Sequence, residues 1–145
     1  MKFEKIIEVV TVKQIVKEVE TATITSPDAI AAYAQELIGD ETRENMLVFY
    51  LNTKNKVVAY YKAHIGTLNA SIVHPRDVFA PAILHNAASI IMVHNHPSHN
   101  LTESREDKDV AARFVECSKY LGIDLLDFLI VNPYSFNSFK EKGYI

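Results

Sequence analysis

Three histidines stand close together in the segment HNHPSHNLTESREDKD, residues 94–109. His94 and His96 are two residues apart at the end of the apolar run ASIIMV, so in a strand both side chains point to the same face. Neutral imidazoles are common ligands of zinc and of neighbouring metals. A His-x-His pair alone is a weak signal, because six histidines in 145 residues can produce one by chance. The segment predicts a metal site only if a third ligand accompanies the pair.

Asp107 is the candidate third ligand, and its position allows two interpretations. Ser104 stands three residues before it, and this spacing is typical of a capping box at a helix start, which spacing alone favours. However, a first-turn acid on a helix that begins just beyond a strand can also point back at the end of that strand. Two histidines and one aspartate would match the three protein ligands of a catalytic zinc site, which leaves a fourth position open.

Helices and strands alternate along the chain, which predicts an α/β fold with a layered sheet flanked by helices. Residues 3–20 are β-branched and predict one or two strands or an extended arm, with residues 1–22 set apart from the rest. Buried or paired strands are expected at 44–52, at 57–66 after a hairpin turn at 53–56, at 88–94 and at 123–131. The tail after residue 131 is expected to be short and irregular.

Three helices are predicted between these strands. The first follows Ser26 as its N-cap and ends at Gly39. The second covers residues 74–87, where Pro81 predicts a kink or a division into two short pieces. The third runs from its N-cap Ser104 to Gly122, so it begins close to the proposed ligands.

Composition limits the class of protein. A chain of 145 residues with 48% hydrophobic residues suffices for one domain with a sizeable core. Cys117 is the lone cysteine, so no internal disulfide is possible, and we interpret it as a buried spectator in a reducing compartment. The net charge of −3 and pI near 6.0 argue against independent DNA binding. Glu4 and Glu8 interrupt any signal peptide, and no apolar run approaches the ~20 residues of a membrane span, so we expect a soluble cytoplasmic protein.

The spacing His-x-His-x7-Ser-x2-Asp resembles the JAMM signature of the JAB/MPN metalloprotease superfamily. The chain is further similar to the RadC-like JAB domain. The resemblance covers about residues 40–143 and rests on four stretches in order. They are RENMLVFYLNTKN, GTLNASIVHPRDVFAPAILHNAASIIMVHNHPS, SREDKD and LGIDLLDFLIV.

This resemblance implies a fold, a metal and a reaction. The fold is the three-layer JAB/MPN architecture, similar to that of cytidine deaminases, with a mixed sheet. The metal is zinc, held by His94, His96 and Asp107, and the reaction is hydrolysis of an amide or isopeptide bond in a protein or peptide substrate. The family's catalytic glutamate falls on Glu44, with Glu41 as its rival, and Ser104 would stabilise the oxyanion.

The chain departs from the family pattern beside the proposed site. The glycine that usually follows HNHPS is replaced by His99, which could reach the mouth of the site but is more simply a solvated loop residue. A proline that commonly precedes the serine is replaced by Glu103, and Phe128 replaces a histidine after Asp127. His64, His74 and His85 carry no ligand spacing, so we assign them to packing or to the surface.

Two other functions compete with this interpretation. RadC proteins carry a DNA-repair label, so a non-catalytic or repair-associated interaction module with a structural metal is the alternative. Longer members have an N-terminal helix-hairpin-helix domain, which we do not expect in this chain. A zinc nucleobase deaminase would need His-x-Glu with Cys-x-x-Cys, and one cysteine excludes it. The sequence does not indicate an oligomeric state.

Overall fold

A mixed five-stranded sheet forms the centre of the computed structural model, which describes residues 27–68 and 72–145. The predicted segments 1–22 and the cap Ser26 lie outside these residues. The described elements in chain order are α1 (Pro27–Ile38), β1 (Asn45–Leu51), β2 (Val57–Ile65), α2 (Pro75–Leu84), β3 (Ser89–Asn95), α3 (Arg105–Leu121), β4 (Asp124–Val131) and β5 (Phe136–Ser138).

The strand order is β2-β1-β3-β4-β5. β1 runs antiparallel to both β2 and β3, β3 runs parallel to β4, and β5 is antiparallel to β4. The parallel pair needs a crossover connection, and α3 provides it. Because β1 and β3 are antiparallel, the start of β1 lies beside the end of β3. The last pair in their register is Met46 opposite His94.

Helices cover both faces of the sheet, so the central strands β1 and β3 are buried on both sides. On one face, α1 packs Ile30 and Ile38 against strand residues that include Phe49 and Val93. On the other face, α2 and α3 pack on residues that include Met92, and the rings of Phe79 and Phe114 stack at 5.9 Å between centroids. These three layers confirm the predicted α/β fold, a mixed sheet flanked by helices.

The hairpin and the third helix were predicted well because their local signals are strong. In the hairpin, the Asn52 side chain accepts hydrogen bonds from the N–H groups of Lys54 and Lys56, and Asn55 adopts φ +57°. α3 begins after its N-cap Ser104 and ends before Gly122, which has φ +67°. The left-handed region suits glycine, which has no Cβ to clash there.

The helix that contains Pro81 is continuous from Pro75 to Leu84, so the prediction of two short pieces is wrong. Proline removes one donor, and the carbonyl four residues earlier, that of Asp77, loses that partner. The Asp77 side chain is 52% exposed, so this part of the helix faces solvent, which can satisfy the carbonyl.

The tail is not irregular throughout, which corrects a second prediction. Asn132 Oδ1 accepts hydrogen bonds from the N–H groups of Tyr134 and Ser135, and this turn reverses the chain. The chain then adds β5 to the edge of the sheet beside β4, and Phe139 follows it into the core. A strand of three residues is too short to show an alternating pattern in the sequence.

Among the described residues, no helix combines the length and the apolar character that a membrane crossing requires.

Candidate metal centre

The end of β3 carries His94 and His96 on the same face of the sheet, as their spacing predicted. His94 is the last residue of β3 that pairs with β1, and it is 1% exposed. The side chain of His96, one step beyond the strand, is 13% exposed. Their rings are edge to face, with centroids 5.0 Å apart. Pro97 ends the strand here, since it has no N–H to continue the ladder.

The first turn of α3 brings Asp107 to the same point. Asp107 Oδ1 lies 2.9 Å from His94 Nδ1, and Oδ2 lies 3.0 Å from His96 Nε2. Asp107 is also part of a capping box with Ser104. The two interpretations of Asp107 are therefore compatible: the carboxylate that closes the start of the helix also faces both histidines.

These three side chains form a group that can hold a metal ion. One candidate ligand atom from each lies within 4.8 Å of the others. His94 Nε2 is buried and has no hydrogen-bond partner among the residues that the structure describes. His96 Nδ1 donates to the carbonyl of Asn100 at 2.7 Å, which orients the ring and directs Nε2 towards Asp107. Two imidazoles, one carboxylate and a buried nitrogen without a partner fit a divalent metal ion.

The electrostatics of the group also favour a bound cation. Burial alone would raise the pKa of the Asp107 carboxyl, but hydrogen bonds from His94, from His96 and from the Ser104 N–H hold it well below its usual range. The hydrogen bond to Asp107 raises the pKa of His96 against the opposing effect of burial. Asp107 therefore remains a carboxylate at ordinary pH, and the negative potential around it attracts positive charge.

Glu44 lines a cavity that is also lined by His94, His96 and Asp107. It immediately precedes β1, and its Oε2 accepts a hydrogen bond from the Leu68 N–H at 2.9 Å. The cavity has a volume of about 520 Å³, and its lining includes Glu44, Leu68, Ser104 and the three residues of the His-His-Asp group. Glu41, the rival acid, is exposed and does not line the cavity. The geometry thus separates two acids that the sequence could not.

Ser104 lies at the rim of this cavity as the N-cap of α3. Its Oγ accepts a hydrogen bond from the Asp107 N–H at 3.1 Å. A hydroxyl can donate and accept at once, so capping does not use the hydroxyl proton. Ser104 therefore can donate into the cavity while it caps the helix.

His99 points away from the cavity. Its Nε2 lies 3.6 Å from Asp40 Oδ1, its ring lies 6.2 Å from that of Tyr134, and its side chain is 41% exposed. Its φ is +64°, in the left-handed region that a glycine adopts without strain. This conformation explains why the family pattern has glycine at this position, and it favours the interpretation of His99 as a loop residue.

The remaining histidines do not join the group. His64 Nε2 contacts the carbonyl of Thr67, His74 is the N-cap residue of α2, and His85 is its C-cap residue. Two contributors to the site could not be read from the sequence, since both are backbone groups. They are the Asn100 carbonyl, which orients His96, and the Leu68 N–H, which holds Glu44.

Most of this chain is similar to known proteins. A family model described as the RadC-like JAB domain matches residues 24–144. A UPF0758 protein of Geobacillus sp. (strain WCH70) is 52% identical over 122 residues, which are 84% of this chain and 54% of that protein. A UPF0758 protein of Bacillus pumilus (strain SAFR-032) is 48% identical over 122 residues, with the same coverage. The chain spans about half the length of these curated relatives, and it belongs to the RadC-like JAB domain family.

Proposed function

We propose that this chain is a zinc-dependent hydrolase that cleaves amide or isopeptide bonds in a protein or peptide substrate. One observation carries the proposal: the buried group of His94, His96 and Asp107 opens into the same cavity as the carboxylate of Glu44. A metal site and a separate carboxylate are the two parts that hydrolysis by an activated water requires. The membership of a JAB domain family, whose wider superfamily includes hydrolases, points the same way.

In this proposal His94, His96 and Asp107 hold the metal. When bound, a zinc ion supplies Lewis acidity, which lowers the pKa of a water molecule towards ~7 and polarises the carbonyl of the substrate. Asp107 contributes the negative charge of the ligand set, and its low pKa keeps that charge in place. The hydrogen bond from His96 Nδ1 to the Asn100 carbonyl leaves Nε2 as the ring nitrogen that would bind the metal.

Glu44 transfers a proton from the attacking water to the departing amine. Its carboxylate takes a proton from the attacking water and then gives it to the departing amine, as a general base and then a general acid. The hydrogen bond from the Leu68 N–H occupies Oε2 and orients the group, which leaves Oε1 for the proton. The Ser104 hydroxyl donates a hydrogen bond to the carbonyl oxygen of the substrate as negative charge develops there.

The proposed substrate is a protein or peptide, and nucleic acid is not expected to bind directly. Lys and Arg total 15 against 18 Asp and Glu, and no lysine or arginine lines the described cavity. Phosphate backbones require clustered cations, which this cavity does not offer. Linear peptides and isopeptides present the same amide to the site, so both are proposed as substrates.

A turnover experiment tests the proposal. Purified protein is loaded with zinc and screened against linear peptides and against peptides joined through a lysine side chain, with a chelated sample and a sample reloaded with zinc. We expect cleavage that chelation abolishes and zinc restores. Glu44→Gln should keep its zinc and lose roughly a hundredfold or more in kcat, the usual scale for loss of a general base. Glu41→Gln is the matched control and should keep wild-type turnover.

Two results would contradict the proposal in different ways. Zinc binding without cleavage of any amide would favour the alternative, a non-catalytic interaction module with a structural metal. Cleavage that survives in Glu44→Gln but falls in Glu41→Gln would transfer the proton role to the neighbouring acid.

A further inference from the structure

Asn95 stands between the two histidines, and its side chain projects to the opposite face of the sheet. It is completely buried. Its Oδ1 accepts a hydrogen bond from the Asn45 N–H at 2.6 Å, and its Nδ2 donates to the Arg43 carbonyl at 2.9 Å. One side-chain amide thus holds the peptide groups on both sides of Glu44.

The backbone ladder explains why a side chain is needed at this position. The pairing of β1 with β3 ends at Met46 opposite His94, so the next residues meet beyond the paired register. Asn45 is 2% exposed, and a buried N–H without a partner is costly. The Asn95 amide supplies that partner, and it supplies a donor to the Arg43 carbonyl as well. It therefore extends the contact between the strands to Glu44.

Glu44 is held from the opposite side by the segment that follows β2. Its carbonyl accepts from the Gly66 N–H at 2.8 Å, and its Oε2 accepts from the Leu68 N–H at 2.9 Å. The backbone of Glu44 is thus fixed between Asn95 and Gly66, while its carboxylate is oriented by Leu68. Of these partners, Asn95 alone belongs to the strand end that carries His94 and His96.

We propose that Asn95 is a positioning residue, which fixes the Glu44 carboxylate relative to the His-His-Asp group. The proposal rests on the role of Glu44 in the proposed function. A proton-transferring group must lie within hydrogen-bond reach of its water, and a shift of about 1 Å can lower the rate by roughly a hundredfold. Because Asn95 shares its strand end with the histidines, any movement of β3 carries the histidines and Glu44 together.

Amide hydrogen exchange in the full chain tests the geometry without any substrate. In Asn95→Ala, the Asn45 and Leu68 amides should exchange at least about tenfold faster, because each loses its acceptor or has it displaced. Zinc content should stay at the wild-type value, since His94 and His96 project from the other face. Asn95→Asp is the second variant: it keeps an acceptor for the Asn45 N–H but sets an oxygen against the Arg43 carbonyl.

Asn132→Asp is the matched control. Asn132 is 8% exposed, and its Nδ2 donates to the His99 carbonyl at 2.8 Å. Its substitution removes a comparable bond from a buried amide to a loop, yet the Leu68 amide should keep its wild-type protection. Wild-type protection of Leu68 in both Asn95 variants would overturn the proposal. Faster exchange across the whole sheet, or failure of both variants to fold, would make Asn95 a general structural residue and would overturn it too.

A kinetic cycle tests the consequence on any substrate found in the turnover screen. Asn95→Ala should lower kcat by about tenfold or more and leave KM nearly unchanged. In the Glu44→Gln background the same change should cause little further loss, because its effect acts through Glu44. Equal losses in both backgrounds would overturn the proposal. If Glu44→Gln itself turned over normally, the proposed function would fail, while the exchange experiment would still decide whether Asn95 positions Glu44.

Discussion

Ser104 and Asp107 exchange two hydrogen bonds at the start of α3. The Ser104 N–H donates to Asp107 Oδ2 at 2.7 Å, and the Asp107 N–H donates to Ser104 Oγ at 3.1 Å. The same Oδ2 lies 3.0 Å from His96 Nε2. The start of the helix and the candidate metal site therefore share one carboxylate, so substitutions at either residue must be measured for stability and for metal content separately.

Asp107→Asn should separate capping from metal binding. The asparagine keeps an oxygen that can accept from the Ser104 N–H, so the capping box is largely retained. It removes the negative charge, so zinc content should fall from about one equivalent per chain to a small fraction of that. His94→Ala and His96→Ala should lose zinc similarly. Elemental analysis and thermal melting check both effects.

Asp109→Ala is the matched control for the zinc measurement. Asp109 lies two residues further along the same helix, and its side chain is 60% exposed. Its zinc content should equal the wild-type value. Full zinc occupancy in Asp107→Asn would reduce Asp107 to a capping residue and would remove it from the ligand set.

Three substitutions of Ser104 should separate its two roles. Ser104→Ala loses the cap, at about 1 kcal/mol of stability, and the proposed oxyanion donor, at ~3 kcal/mol of transition-state binding. Ser104→Asp should stay stable because aspartate caps well, but it should be inactive because its charge repels the oxyanion. Ser104→Thr should keep part of the activity if its methyl group fits. Melting temperatures and turnover distinguish these outcomes, and an alanine variant with the wild-type rate would leave Ser104 a helix cap only.

His99→Gly should leave the protein at least as stable as the wild type. At φ +64°, a residue with a Cβ costs roughly 1–2 kcal/mol more than in a favoured conformation, and glycine removes that cost. Part of the gain is offset by the greater freedom of glycine in the unfolded chain, by about 0.5–1 kcal/mol. The exposed contact with Asp40 contributes little. Urea denaturation measures the difference.

His85→Gly is the control for this substitution. His85 has φ −97°, where glycine relieves no strain, so the variant should be less stable than the wild type. A loss of stability in His99→Gly that matches the control would show that contacts with Asp40 and Tyr134 outweigh the backbone strain.

Glu103 should stabilise the fold in a defined range of pH. Hydrogen bonds from Tyr144, and also from Lys142 and Asn137, lower its pKa from 4.5 to about 2. A depressed folded-state pKa adds stability above the unfolded value, and that stability is lost as pH falls through the folded value. Glu103→Gln should therefore be less stable than the wild type at pH 7. The difference should shrink between pH 4.5 and about 2.

Urea denaturation of the two proteins at several pH values measures this difference. Glu106→Gln is a suitable control, because Glu106 is an exposed acid only three residues further along the chain, in the first turn of α3. Its stability relative to the wild type should change little over that range. A Glu103 effect that is the same at pH 7 and near pH 2 would mean that shape, rather than charge, sets the contribution of this side chain.

The sequence predicted most of the fold because its strong local signals agree with the tertiary structure. The apolar run at 44–52, the turn at 53–56 and the capped helix at 104–122 each became the expected element. Pro81 does not divide the second helix, because one missing donor is tolerated where solvent can replace it. β5 was missed because three residues are too few to show a period, and its pairing with β4 leaves no pattern along the chain.

The site was predictable only where side chains carry the signal. His94, His96 and Asp107 have spacing that can be read along the chain, and the structure brings them together. Glu44 and Glu41 are three residues apart, and in the sequence only the family resemblance favours Glu44. In the structure, Glu44 lines the cavity and Glu41 does not. The Leu68 N–H and the Asn100 carbonyl are present in every peptide, so their use could not be foreseen. The contacts of Asn95 depend on where the β1–β3 register ends, which no local pattern encodes.

The antiparallel pairing of β1 with β3 makes this site a product of global folding. Glu44, His94 and Asp107 come from three segments that are distant in sequence and meet in the folded domain, so no isolated hairpin or helix contains the group. A metal that binds all three ligands binds the native state more tightly than the unfolded chain. At a free metal concentration of 100 times Kd, such a ligand raises the free energy of unfolding by at most about 2.7 kcal/mol. A larger supply of metal would thereby lower the fraction of unfolded, protease-sensitive chain, independently of any reaction that the protein catalyses.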